Sequence, residues 1–161
     1  MRPKIIGIMG PGEYASAEDE MLAYELGKKI AENGFVLLTG GRNTGVMEAA
    51  SRGANEKNGI VIGILPGDNK NNMSEYVTIP IITGIGNARN IINILSSDIV
   101  IGIGEGAGTF SEIFFAIKCG KDVILTNQRN ELMNVTKSLQ NSISIVNDSD
   151  EIINRIKELV Y

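Results

Sequence analysis

The chain alternates between short, continuous apolar runs and longer stretches with helical spacing. Six runs read as strands: Lys4–Met9, Phe35–Thr39, Ile60–Leu65, Asp98–Ile103, Asp122–Thr126 and Ser142–Val146. They are continuous rather than alternating, the pattern of strands covered on both faces of a parallel sheet. In the first helical stretch Leu22, Ala23, Leu26, Gly27 and Ile30 share one face. Glu25, Lys28, Lys29 and Glu32 share the other, and Gly34 closes it. The second, after Thr44, carries Val46, Ala49, Ala50, Gly53 and Ala54, small side chains suited to close packing on the sheet. A third helix is expected from about Asn87 to Ser97, with Ala88, Ile91, Ile92 and Leu95 inward. The fourth, Thr109 to Cys119, is apolar nearly all round and is the candidate subunit interface. The last runs from Asp150 to Val160, and the polar, Asn-rich segment Pro66–Pro80 reads as a surface loop.

Strand–helix alternation of this kind predicts one Rossmann-like, doubly wound α/β domain over residues 1–161. Its mainly parallel sheet has about six strands flanked by helices. Ligands of such sheets sit beyond the carboxyl ends of the strands. Three glycine-rich turns fall on that edge: Gly10-Pro11-Gly12, Gly40-Gly41-Arg42, and the segment from Gly104 to Thr109 that contains Gly106 and Gly108. Glycine allows close backbone approach, and the helix that follows offers unpaired N–H groups to an anion. Three such turns point to a phosphorylated ligand.

A helix N-terminus contributes only about 0.3–1 kcal/mol toward an anion, or roughly 2 when partly buried. Micromolar affinity needs about 8 kcal/mol, so arginines and ring contacts must supply the rest. Arg42, directly after two glycines, and Arg89, in the first turn of its helix, are the candidates. The macrodipole disfavours a cation at Arg89 unless an external anion answers it; a solvated surface arginine is the competing reading for both. Thr109 and Glu112 form a Thr-x-x-Glu pair, which either caps the helix or sets Glu112 beside a bound sugar or phosphate.

Composition narrows the chemistry. The chain has 19 glycines in 161 residues and a net charge of −4, which argues against a sequence-independent grip on nucleic acid. No apolar run reaches the roughly 18 residues of a membrane span and no signal peptide opens the chain, so a cytoplasmic protein is expected. With no histidine, Ser-His-Asp and Cys-His catalysis and the usual histidine metal sites are excluded, and no metal ligands are assigned. The single cysteine, Cys119, is either a small residue beside a helix end closed by Gly120 or a thiol activated by Lys118 and Lys121. The first turn lacks Gly-x-Gly-x-x-Gly, no acidic residue ends the second strand, and no Walker sequence occurs; NAD and P-loop readings are disfavoured.

Several motifs resemble the molybdenum cofactor carrier proteins. They are Gly-Ile-Met-Gly-Pro-Gly from Gly7, Leu-Thr-Gly-Gly-Arg from Leu38, Gly-Val-Met-Glu-Ala from Gly45 and Ile-Gly-Ile-Leu-Pro-Gly from Ile62. Thr-Gly-Ile-Gly-Asn-Ala-Arg-Asn from Thr83 and Leu-Ser-Ser-Asp from Leu95 complete the set, which spans about Lys4 to Lys121. The resemblance implies a Rossmann-like homodimer or homotetramer that binds molybdopterin cofactor without turning it over. Gly10, Gly12, Gly40, Gly41, Gly106 and Gly108 would form the backbone cradle, and Arg42, Arg89 and Thr109 the polar contacts. A wider resemblance reaches the phosphoribohydrolases often labelled lysine decarboxylases, whose signature is Pro-Gly-Gly-x-Gly-Thr-x-x-Glu with an upstream arginine. Gly106, Gly108, Thr109, Glu112 and Arg89 match it, whereas Gly104 and Glu105 replace its proline and first glycine. The alternative function is thus hydrolysis of nucleoside 5′-monophosphates to free base and ribose 5-phosphate, with Glu112 and Arg89 catalytic. A carboxylate at Glu105 facing the ligand would repel its phosphate.

Overall fold

Runs of isoleucine, valine and leucine build the centre of the structure, a computed structural model that describes residues 2–127, 130–139 and 143–161. The elements in order are β1 (Ile5–Met9), α1 (Ala17–Glu32), β2 (Val36–Thr39), α2 (Gly45–Glu56), β3 (Val61–Leu65) and β4 (Ile79–Ile82). A 3-10 turn (Gly86–Arg89) leads into α3 (Asn90–Ser96). Then come β5 (Ile99–Ile103), α4 (Ala107–Lys118), β6 (Asp122–Thr126), α5 (Asn130–Leu139), β7 (Ile143–Ile145) and α6 (Ser149–Val160). The strands form one parallel sheet in the order β4-β3-β2-β1-β5-β6-β7. In register, Ile6 of β1 stands opposite Leu37 of β2 on one side and Ile99 of β5 on the other. Strand order reverses at β1, so the crevice between the carboxyl ends of β1 and β5 is the topological switch point where such sheets take ligands.

The Rossmann-like architecture read from the sequence is present, with seven strands rather than about six. The additional strand is β4, which lies in and just beyond the segment expected to be a surface loop. It is four residues long, contains Pro80 and sits on the sheet edge with its isoleucines exposed. A proline that cannot donate to a ladder is tolerated on an edge, and it hides the strand from a pattern reading. Ser142, the first residue of the last expected strand, lies outside the described residues.

Two apolar clusters cover the sheet. On one face Ile6, Ile8, Leu37 and Ile101 pack with Leu26 and Ile30 of α1, Val46 and Ala50 of α2, and Ile152 and Ile156 of α6. Ser16 and Asp19 start α1 with a reciprocal capping box. The small residues of α2 serve α1 as much as the sheet: a side chain on Gly27 would collide with the Ala50 carbonyl, so the two helix backbones lie in contact. On the other face Met9, Leu38 and Val100 pack with Ile94 of α3 and Ile113, Ala116 and Ile117 of α4.

Helix α3 is turned differently from its expected register. Ala88, Ile91 and Leu95 are exposed and Ile92 is half-buried, while Arg89, Asn93, Ile94 and Ser97 face inward. Arg89, Asn93 and Ser97 recur every four residues and so share one face. The helix turns a polar stripe to the interior: Arg89 lines the cavity described next, Asn93 donates to Glu112 of α4, and Ser97 donates to the Asn93 carbonyl. Its carboxyl end is held by Lys121, whose ammonium donates to the carbonyls of Leu95 and Ser97.

Candidate functional site

Three loops at the carboxyl edge converge on the switch point and enclose a cavity of about 280 Å³. Gly10, Pro11 and Gly12 after β1 form one wall, with Gly40 after β2 and Met47 of α2 beside them. Residues 105–109 and Glu112, from the turn after β5 and the start of α4, form the opposite wall. Asn87, Arg89 and Asn90 close the floor. Tyr14, 92% exposed, stands at the lip.

The turn after β5 is shaped by its neighbours. Gly104 has a φ of 65° and lies against the Asp19 carboxylate, which also accepts a hydrogen bond from Asn127 Nδ2 at 3.1 Å. That contact joins the start of α1 to the turns after β5 and β6. Gly106 occupies the N-cap position of α4 without a side-chain cap, so the first backbone N–H groups of the helix are left for the cavity. The capping box expected at Thr109 and Glu112 does not form. The Thr109 hydroxyl is buried without a hydrogen-bond partner, and Glu112 instead accepts from Asn93 Nδ2 at 3.1 Å.

Arg89 is buried, 6% exposed, and the reading of a solvated surface arginine is corrected accordingly. Its Nε has no hydrogen-bond partner, and among the described residues no carboxylate pairs with its guanidinium within 4 Å. Burial lowers its pKa, partly offset by the Glu112 carboxylate; the nearby Arg42 charge lowers it further. A side chain on Gly40 would overlap the Arg89 guanidinium, so this glycine makes room for the arginine. Glu112, 8% exposed, is pushed up to about 7 by burial, against the opposing pull of the Asn93 hydrogen bond and the Arg89 charge. A buried cation without a carboxylate partner, a vacant hydroxyl and the uncapped first turn of a helix have the chemistry to answer an external anion. The carboxyl beside them is poised to exchange a proton near neutrality.

Of the residues singled out in the sequence, Gly10, Gly12, Gly40, Arg89, Gly106, Gly108, Thr109 and Glu112 meet in this cavity. Gly41 and Arg42 do not line it. Gly41 has a φ of 75°, donates its N–H to Thr39 Oγ1 and packs on Leu65 and Gly63, so the fold accounts for it. Arg42 bridges to Met73 through its backbone and points its guanidinium toward Glu13 at 3.7 Å. Glu105 does line the cavity. The sequence reading assigned no role to Met9, Tyr14, Met47, Asn87, Asn90 and Asn93. The inward polar spacing of Arg89 and Asn93 was the available signal for the last of these. Cys119 ends α4 at the exposed surface, away from the cavity lining, with Gly120 following at a φ of 68°. Among the described residues no group of three or more Cys, Asp or Glu is placed to hold a metal ion, and no helix is long and apolar enough to cross a membrane.

Known proteins share this architecture closely. The structure superimposes on the molybdenum cofactor binding protein of the phototrophic bacterium Rippkaea orientalis with a TM-score of 0.98 and 50% identity, covering 100% of this chain and 99% of that one. The molybdenum cofactor carrier protein of Chlamydomonas reinhardtii gives a TM-score of 0.94 at 42% identity, with 99% of each chain covered. A protein of unknown function from Archaeoglobus fulgidus is 47% identical over 118 residues, 73% of this chain and 76% of the relative. The resemblance read from the motifs is borne out, and it continues past Lys121 to the carboxyl terminus. A family model matches residues 3–153, and with it the chain belongs to the SLOG cluster4 family.

Proposed function

We propose that this protein is a carrier that binds molybdenum cofactor at the carboxyl edge of its sheet and holds it without chemical change. The observation that carries this reading is Arg89, a buried guanidinium without a carboxylate partner beside the open first turn of α4. An anion there answers the arginine, the vacant Thr109 hydroxyl and the helix N–H groups together. The terminal phosphate of the cofactor suits that end, with Gly10, Gly12, Gly40, Gly106 and Gly108 as the cradle. Gly41 and Arg42 act outside the contact set. Similarity to two structures described as molybdenum cofactor proteins supports the choice of ligand. The protein acts in the cytoplasm as a single domain, without nucleic acid. It assembles as a homodimer or homotetramer through the outer faces of α3 and α4, where Leu95 and Phe114 are exposed. The test mixes purified protein anaerobically with molybdopterin cofactor, separates the mixture by gel filtration, and reads pterin fluorescence after oxidation. Co-elution at a fixed ratio is expected, and a dark protein fraction would remove the reading.

One observation favours a second reading, phosphoribohydrolysis: the Glu112 carboxyl, pushed up to about 7, stands in the cavity as a proton donor would. Glu105 in the same lining does not separate the two readings, since a carboxylate there opposes the phosphate of either ligand. Release of ribose 5-phosphate from AMP that disappears in Glu112→Gln would establish this activity; no release at micromolar enzyme would exclude it.

A further inference from the structure

A second cavity, about 400 Å³, opens between the 3-10 turn, α3 and α4. Its walls are apolar where Ala88, Ile91 and Phe115 line it, and it shares Asn87, Asn90, Gly108 and Glu112 with the first. The two are adjoining chambers that meet at Gly108 and the two asparagines.

Gly108 is the informative residue at that junction. A Cβ built on it meets no heavy atom within 4 Å, and its φ lies outside the left-handed region. Neither packing nor backbone geometry calls for glycine at this second position of α4, and glycine loses more backbone freedom on folding than alanine. The physical consequence of having no side chain here is an open passage between the chambers. At the passage, Asn87 and Asn90 make no side-chain hydrogen bond to a described residue. Their amides offer donors and acceptors together, the complement of an amide-like heterocycle edge. Ile91 and Phe115 offer the apolar faces against which a flat ring packs.

We infer that the apolar recess between α3 and α4 is a second subsite, which takes the planar heterocycle of a ligand whose phosphate lies in the first chamber. The ligand crosses Gly108 with its anion against Arg89 and Thr109 and its ring edge against Asn87 and Asn90. This assignment rests on the proposed binding of a phosphorylated heterocycle and adds where its ring is read.

The chain has no tryptophan, so Phe115→Trp places one reporter in the recess. Molybdopterin cofactor added anaerobically is expected to quench the introduced indole, whereas inorganic phosphate alone leaves it bright. Gly108→Val, which projects into the passage, is expected to weaken cofactor binding about tenfold or more. Gly108→Ala serves as the folding control, with a Tm at or above that of the parent. If the cofactor co-elutes with the parent protein but leaves the indole unquenched and binds Gly108→Val equally well, the subsite is wrong while the carrier reading stands. If the cofactor does not co-elute, the carrier reading falls and AMP decides the subsite. Quenching by AMP that Gly108→Val abolishes supports it; no quenching by AMP overturns it.

Discussion

The two faces of the sheet are finished in different ways. On the α1, α2 and α6 face the apolar side chains are sealed, the helix α1 is capped at its start, and two helix backbones touch through Gly27. On the α3 and α4 face the same kind of core is interrupted by Arg89, Asn93, Thr109 and Glu112. The first three leave polar atoms buried without partners. The apolar residues Ile91, Leu95 and Phe114 of these helices point outward. A buried polar atom left unpaired costs roughly 1–3 kcal/mol, so this face gives up more stability than the other, where Glu48 Oε2 of α2 is also buried without a partner. The polar interior is what the proposed ligand would complete, and the apolar exterior is what the proposed assembly would cover.

The contrast can be broken from either side. The largest effect is expected on the sealed face: Gly27→Leu forces α1 away from α2 and should cost about 3 kcal/mol or more, read as a fall in the urea midpoint. Next comes Glu112 on the open face. Its folded pKa of about 7 lies above the ordinary 4.5, so the folded state holds the proton longer than the unfolded chain. Unfolding between these values releases a proton, and stability therefore falls as pH rises from about 4.5 through about 7. The loss is of the order of 3 kcal/mol. Glu112→Gln keeps the acceptor for Asn93 and should flatten this slope, leaving the variant more stable than the parent at pH 8. Urea titrations at pH 5 and pH 8 would measure it, and parallel curves for the two proteins would contradict the assignment.

A smaller effect, on binding rather than on folding, is expected from Arg89→Ala. Ligand affinity should fall by about 2 kcal/mol, roughly thirtyfold, with loss of a charged hydrogen-bonding partner. Removing an unpaired buried cation should at the same time leave stability unchanged or raised. Calorimetric titration with a measured Tm separates the two; a large fall in Tm would make Arg89 a structural residue. The smallest change is expected at the exterior. Leu95→Glu should alter monomer stability by no more than about 0.5 kcal/mol. Light scattering should then report a lower mass than for the parent, and an unchanged mass would remove α3 from the interface.

Strands β1, β2, β3, β5 and β6 were legible because both of their faces are covered, which makes their apolar runs unbroken. Strand β4 was not, because an edge strand with exposed side chains and a proline carries no such run. The glycine turns were legible as a group but not individually. Gly40 is demanded by Arg89, and Gly41 by a left-handed backbone and its packing, a distinction that needs the third dimension. Helix α3 misled for a sharper reason. Hydrophobic periodicity assumes that the apolar stripe faces the core, and here Ile91 and Leu95 face outward while Arg89 and Asn93 face in.

Sheet class, the edge that carries the cavity, and the residue types available for chemistry follow from local pattern and composition, because unbroken apolar runs and missing histidines are properties of the chain itself. Which arginine reaches the cavity depended on long-range packing: Arg42 and Arg89 look alike in sequence, but one is directed to Glu13 and the other is enclosed beneath Gly40. Burial also converts Glu112 from an ordinary carboxylate to one that titrates near neutrality, since desolvation arises only when α3 and α4 close around it.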